Sequence, residues 1–184
     1  MKISDIVNCV ATYLARENVL KYLNGETENI GDAKEQIDTM VRACNLVIGE
    51  LASSYIPMVK REKVIPTDSK VYYGSLTETA VEILAVENES GKSAVYDFSP
   101  EYLKTGVSPA VIVYKYLPAN YDLNDTVGFD AKVSARILAY GVAAEITLIE
   151  RNFDESVNWR KRYTNAVSLL TEPKSFVMAK RRWL

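Results

Sequence analysis

Apolar positions along the chain change period twice. Ile3, Ile6, Val7, Val10, Tyr13 and Leu14 recur at helical spacing, and Ser4 is a suitable cap for a first helix. Val19, Leu20 and Leu23 continue the helical character up to Asn24-Gly25, and the polar residues 25–31 predict a loop. Asp32 then caps a second helix, with Glu35 three residues on in a box-like arrangement. Ile37, Met40, Val41, Cys44, Val47, Ile48, Leu51 and Tyr55 mark its apolar face for about six turns. Pro57 ends it, because the residue before a proline is pushed out of the α region.

From Met58 to Pro118 the pattern alternates. Residues 59–65, 70–73, 80–86, 94–98 and 110–116 predict strands, with Val111-Ile112-Val113-Tyr114-Lys115-Tyr116 the strongest of them. Asn88-Glu89-Ser90-Gly91-Lys92 has the composition of a hairpin turn. The connections are too short for helical crossovers, so the pairing should be antiparallel.

Helical spacing returns after a loop at 118–128. A third helix should run from about Asp130 to Glu150, with Val133, Ile137, Ala144 and Leu148 on one side. Ala131, Ala135, Ala139, Gly141, Ala143 and Ala144 make it rich in small residues, which suits a helix buried centrally against its neighbours. A fourth helix, capped by Asn152 or Asp154, carries Trp159, Tyr163, Ala166, Val167 and Leu170 and closes at Pro173. The last eleven residues hold apolar side chains without a period and predict an extended arm. The expected fold is therefore α+β, mainly α. Residues 1–57 and 119–173 form a helical bundle, 58–118 an inserted small antiparallel β unit, and 174–184 an extended C-terminal arm.

Charge sharpens this picture. Residues 1–150 carry 14 basic and 21 acidic side chains, a balance of −7, whereas 151–184 carry 8 and 3, a balance of +5. An acidic body with a basic tail suggests a partner that receives the tail. The opening Met1-Lys2-Ile3-Ser4-Asp5 lacks the form of a secretory leader. No apolar run approaches the roughly 18 residues of a membrane span. Cys9 and Cys44, the two cysteines, fall on apolar helix faces and are expected to be buried thiols in a reducing compartment.

Candidate chemistry is sparse. The chain has no histidine, which removes the commonest general base and neutral metal ligand. Glu26, Glu28 and Asp32 lack calcium-loop spacing and suit a solvated acidic loop. Asp122, Asp125 and Asp130 suit helix capping, and Glu87 and Glu89 flank a turn. No phosphate-cradling glycine motif or GxSxG is present, so neither an enzyme nor a cofactor is expected. The 12 tyrosines stand out more. Tyr72, Tyr73, Tyr96, Tyr114 and Tyr116 lie in the predicted strands and are expected to project into subunit contacts, since tyrosine offers a large apolar area with a polar tip. In the arm, Phe176, Met178, Trp183 and Leu184 call for apolar burial, and Lys180, Arg181 and Arg182 for an acidic or phosphate-bearing partner, needs that either the chain's own acidic body or a neighbouring subunit would meet.

Three strings carry a resemblance. They are SARILAYGVAAEITLIE at 134–150, WRKRYTNAV at 159–167 and the ending KRRWL at 180–184. Together they resemble the C-terminal half of tailed-phage head–tail connector proteins, also called adaptor or head-completion proteins. The order of helices, inserted β element, closing helices and C-terminal arm is similar too. The resemblance implies a virion protein made in the host cytoplasm, a subunit of a usually twelvefold ring docked on the portal above the tail or tail-completion protein. It assigns Phe176, Met178, Lys180, Arg181, Arg182, Trp183 and Leu184 to portal contact. An acidic body suits a channel through which DNA passes without specific binding, because few phosphates would be neutralised. Two other readings stay open: a tail-completion or terminator ring protein of the same particle, and a small nucleic-acid-binding regulator that uses the basic tail.

Overall fold

The computed structural model describes residues 1–26, 30–129 and 132–171. Among these described residues five α-helices, α1 (Ile3–Tyr13), α2 (Glu17–Leu23), α3 (Ile30–Ser54), α4 (Ala135–Ile149) and α5 (Phe153–Thr171), flank six strands in the order expected of an α+β, mainly α chain. The strands are β1 (Met58–Val64), β2 (Lys70–Tyr72), β3 (Thr79–Glu87), β4 (Tyr96–Phe98), β5 (Tyr102–Thr105) and β6 (Ala110–Leu117).

The starts of α1, α3 and α4 differ from the expectations, whereas α5 begins at Phe153, directly after the expected cap Asn152. Lys2, not Ser4, is the first cap, and the Asp5 carboxylate accepts its backbone N–H at 2.9 Å. The segment before α1 bridges the loop that leads to α4. Ile3 N–H donates to Asp125 O at 3.0 Å and Val127 N–H to Met1 O at 2.9 Å. Asn45 of α3 grips the same loop, donating to Tyr121 O at 3.0 Å and accepting from Tyr121 N–H at 2.8 Å. Those backbone bonds hold the loop up to Val127 out of helix, and α4 begins only after Ser134, five residues beyond the expected start. Helix α3 begins at Ile30, two residues before the expected cap.

Helix α4 is central and packs against α1, α3 and α5. Its small residues serve these contacts. Gly141 is buried, with the side chains of Val47 and Tyr163 pressed against the space a Cβ would take. Met40, Cys44, Val47, Ile48 and Leu51 of α3 share one core with Leu138, Val142 and Ile146 of α4 and Tyr163 and Val167 of α5. Val41 and Ile137 are half-buried, and Leu148, expected in this core, is 46% exposed in the last turn of α4, where the neighbouring Ile149 also faces solvent. Cys44 is fully buried, which pushes its thiol up to about 12, and both Cys9 and Cys44 are free.

The β unit is two three-stranded antiparallel sheets, β1-β6-β3 and β2-β5-β4. They enclose a second core of Val71, Leu76, Val86, Leu103, Ala110, Ile112 and Tyr114. β1 and β6 pair residue for residue from Met58↔Tyr116 to Val64↔Ala110. β3 departs from two-residue alternation. Register steps between Ala80 and Glu82 and between Ile83 and Ala85 leave Val81 and Leu84 as extra residues. The residues turned toward the second core are thus Ala80, Ile83 and Val86, three apart.

Candidate interaction surfaces

The five tyrosines expected in strands have separate fates, and Tyr73 falls instead in the short 3-10 turn Tyr73–Ser75 that follows β2. Tyr72 is exposed and meets Tyr102 edge-on across the β2–β5 pair, with ring centroids 5.8 Å apart. Tyr73 and Tyr96 are half-buried, and the Tyr73 hydroxyl donates to Ser99 O at 3.1 Å. Tyr116 packs between the two cores. Tyr114 corrects the expectation of an exposed contact residue. It is 0% exposed, because alternation on β6 turns it toward the second sheet.

Tyr114 instead anchors a polar network inside the β unit. Its hydroxyl donates to Glu62 Oε2 at 2.7 Å, and the same carboxylate accepts from Thr77 N–H at 3.1 Å and Thr77 Oγ1 at 2.8 Å. Burial raises the Glu62 carboxyl, but these hydrogen bonds and Lys60 outweigh it and hold the group below its ordinary range. Burial and the Glu62 bond push the Tyr114 hydroxyl up to about 12. The network clamps β1 to the segment before β3. It has the form of a structural tie.

The outer face of the β1-β6-β3 sheet is laced by ion pairs. Arg61 reaches Glu87 across β6, Lys63 pairs with Glu89, and Lys115 with Glu82 at 2.6 Å. Glu87 and Glu89 thus serve the hairpin as charged flanks. Beside the other edge of β3 an open groove of about 510 Å³ runs between the two sheets, lined by Tyr73, Ala80, Val81, Ile83, Tyr96 and Phe98. Ile65, Tyr72, Val81, Val95 and Phe98 leave much apolar area exposed on the same unit.

The helical body carries a surface that sequence reasoning did not single out. Tyr13 of α1, Tyr140 of α4 and Trp159 of α5 stack on one another with centroids 5.3–6.0 Å apart and interplanar angles of 18–24°. The parallel run of α1 and α4 and the antiparallel α4–α5 hairpin bring the three rings to one half-exposed face. Trp159 Nε1 donates to Glu155 Oε1 at 3.1 Å, which fixes the indole. The signal in the sequence was the WRKRY string, in which Trp159 and Tyr163 stand one helical turn apart with three basic residues between them.

Acidic residues form turns rather than sites. Asp125 Oδ2 accepts from Asp122 N–H at 2.7 Å, closing the loop turn. Glu28 and Asp130 lie outside the described residues, as do the arm residues Phe176, Met178, Lys180, Arg181, Arg182, Trp183 and Leu184. Among the described residues, no cluster of acidic and sulfur side chains could hold a metal ion, and no helix is long and apolar enough to cross a membrane. Among known proteins, the chain matches no family model and no curated sequence.

Proposed function

We propose that this chain is a structural head–tail connector subunit of a tailed phage or prophage. Copies form a ring that docks on the portal and continues the DNA channel toward the tail. The observation that supports this reading best is the division of the molecule. A helical body and a β unit with its own core are joined through neighbouring strands, and the β unit keeps exposed apolar side chains around a groove. Exposed apolar side chains such as Val81 and Phe98 beside a groove suit protein–protein contact. The resemblance of residues 134–150, 159–167 and 180–184 to connector proteins is what suggests the partners. In this reading the basic arm contacts the portal, the β unit takes part in contacts between subunits, and the acidic body lets DNA pass.

The test is reconstitution with the portal protein of the same particle, followed by electron microscopy of the product. A ring of this chain stacked on the portal with matching rotational symmetry supports the proposal. A ring at the far end of the tail tube instead assigns it to tail completion. Salt-sensitive binding of duplex DNA by the isolated chain, with no ring, favours the regulatory reading.

A further inference from the structure

The stacked face of α1, α4 and α5 has cations on both sides. Arg136 Nε donates to the Tyr140 hydroxyl at 2.7 Å, and its guanidinium lies 5.8 Å from that ring's centroid. The Arg162 guanidinium sits 4.8 Å from the Trp159 ring centroid, and Lys161 is exposed beside it. None of Arg136, Lys161 and Arg162 has a carboxylate partner among the described residues. Arg160, one residue away, is the contrast. Glu50 binds it with both oxygens, at 2.7 and 3.1 Å, and Glu145 approaches at 3.4 Å. Arginines held against aromatic rings lose little further freedom on pairing, and their free N–H edges suit carboxylates.

The opposite charge stands elsewhere on the same molecule. Asp32, Glu35 and Asp38 are exposed on the first half of α3 and have no cation partner among the described residues. At 1.5 Å per residue they extend over about 9 Å of helix. Glu35 borders a cleft with Arg16, Ile146 and Glu150 at the C-terminal end of α4, whereas Tyr140, near the start of α4, meets Tyr13 and Trp159. Two different, complementary patches on one subunit are what a head-to-tail ring contact requires.

We infer that the Arg136–Tyr140–Trp159–Arg162 face receives the acidic first half of α3 from a second copy of this chain. The inference deepens the ring reading and rests on it for the biological setting. Three uncompensated cations suit a short acidic helix better than duplex DNA, whose non-specific binders neutralise more phosphates. The arm is excluded as the occupant by its sign, since Lys180, Arg181 and Arg182 would add to the same charge.

The experiment uses full-length chains and two charge-reversed variants, Lys161→Glu/Arg162→Glu and Glu35→Lys/Asp38→Lys, all checked for native circular dichroism. In sedimentation at high protein concentration and low salt, the unsubstituted chain self-associates. Each variant alone associates at least about tenfold more weakly, and an equimolar mixture of the two recovers association, because each supplies the face the other has lost. Carbodiimide treatment of the unsubstituted chain joins Lys161 to Glu35 or Asp38 of another copy. Monomers at every concentration, variants that associate as well as the parent, or a mixture that fails to recover overturn the inference. So does loss of duplex DNA binding in Lys161→Glu/Arg162→Glu, which assigns the face to nucleic acid. A ring that still assembles on the portal from Lys161→Glu/Arg162→Glu chains sinks this contact and leaves the connector reading standing.

Discussion

At Gly141 the three main helices come closest, and a single methyl group tests the fit. A Cβ there would lie 2.7 Å from Val47 Cγ1 and 3.1 Å from two carbons of the Tyr163 ring. Both neighbours are buried, and a β-branched valine has little rotamer freedom in a helix. Overpacking costs about 1–3 kcal/mol, while alanine recovers about 1 kcal/mol of helix propensity. Gly141→Ala should therefore lower the melting temperature, read by circular dichroism, and an unchanged or raised value would show that α3 and α5 can yield. The Tyr163 hydroxyl is a complementary case. It is buried without a hydrogen-bond partner among the described residues, and burial raises its pKa. Removing an unsatisfied buried hydroxyl relieves a desolvation penalty. Tyr163→Phe should leave stability unchanged or raise it by about 1 kcal/mol in denaturant unfolding. A loss larger than that would reveal a partner for the hydroxyl.

Among the elements, the β unit is where acid is expected to act first. Glu62 is held below its ordinary range in the folded state. Its contribution to stability is thus complete above the unfolded-state pKa and is lost as pH falls through the folded-state value. Hydrogen exchange should show the amides of β1, β3 and β6 losing protection in mild acid before those of α3 and α4. Glu62→Gln should flatten that difference, and equal loss of protection in both regions would contradict it. The elements also show what periodicity can and cannot convey. Long stripes such as Ile37 to Leu51 identified α3, because 3.6-residue spacing over many turns has few alternatives. β5 was missed. Tyr102-Leu103-Lys104-Thr105 is four residues long and follows Pro100, so no run of alternation builds up. The bulges at Val81 and Leu84 were equally hidden, because an extra residue is defined by the partner strand's register. Alternation placed Tyr114 on one face of β6 but could not say that a second sheet covers that face. Likewise the aromatic stack unites residues from three helices, whose neighbourhood exists only after packing.

For the whole molecule, the decisive question is which parts fold alone and which need a partner. Among the described residues, α1, α3, α4 and α5 bury one another in one core. Truncation after Pro173 should therefore leave the melting temperature nearly unchanged and abolish binding to the portal, measured by co-sedimentation. Trp183→Ala should weaken that binding more than Lys180→Ala, because a buried aromatic anchor outweighs a screened lysine. A large drop in melting temperature on truncation would instead make the arm part of its own subunit's core.

The pairing of Met58 with Tyr116 has an architectural corollary. The chain leaves the helical body and returns to it along two hydrogen-bonded neighbours, so the two crossing points are about 5 Å apart. Everything between them is, topologically, the tip of a hairpin. Replacing residues 60–114 with a two-residue turn such as Asn-Gly keeps the ends of β1 and β6 in register without asking α3 or α4 to move. Such a chain should keep helical circular dichroism and a cooperative melt while failing to assemble, and a chain that unfolds would show that the β unit props the body. On this geometry the β unit is an interchangeable cartridge. Its size and surface are free to diverge between partners while the helical socket that holds it stays the same.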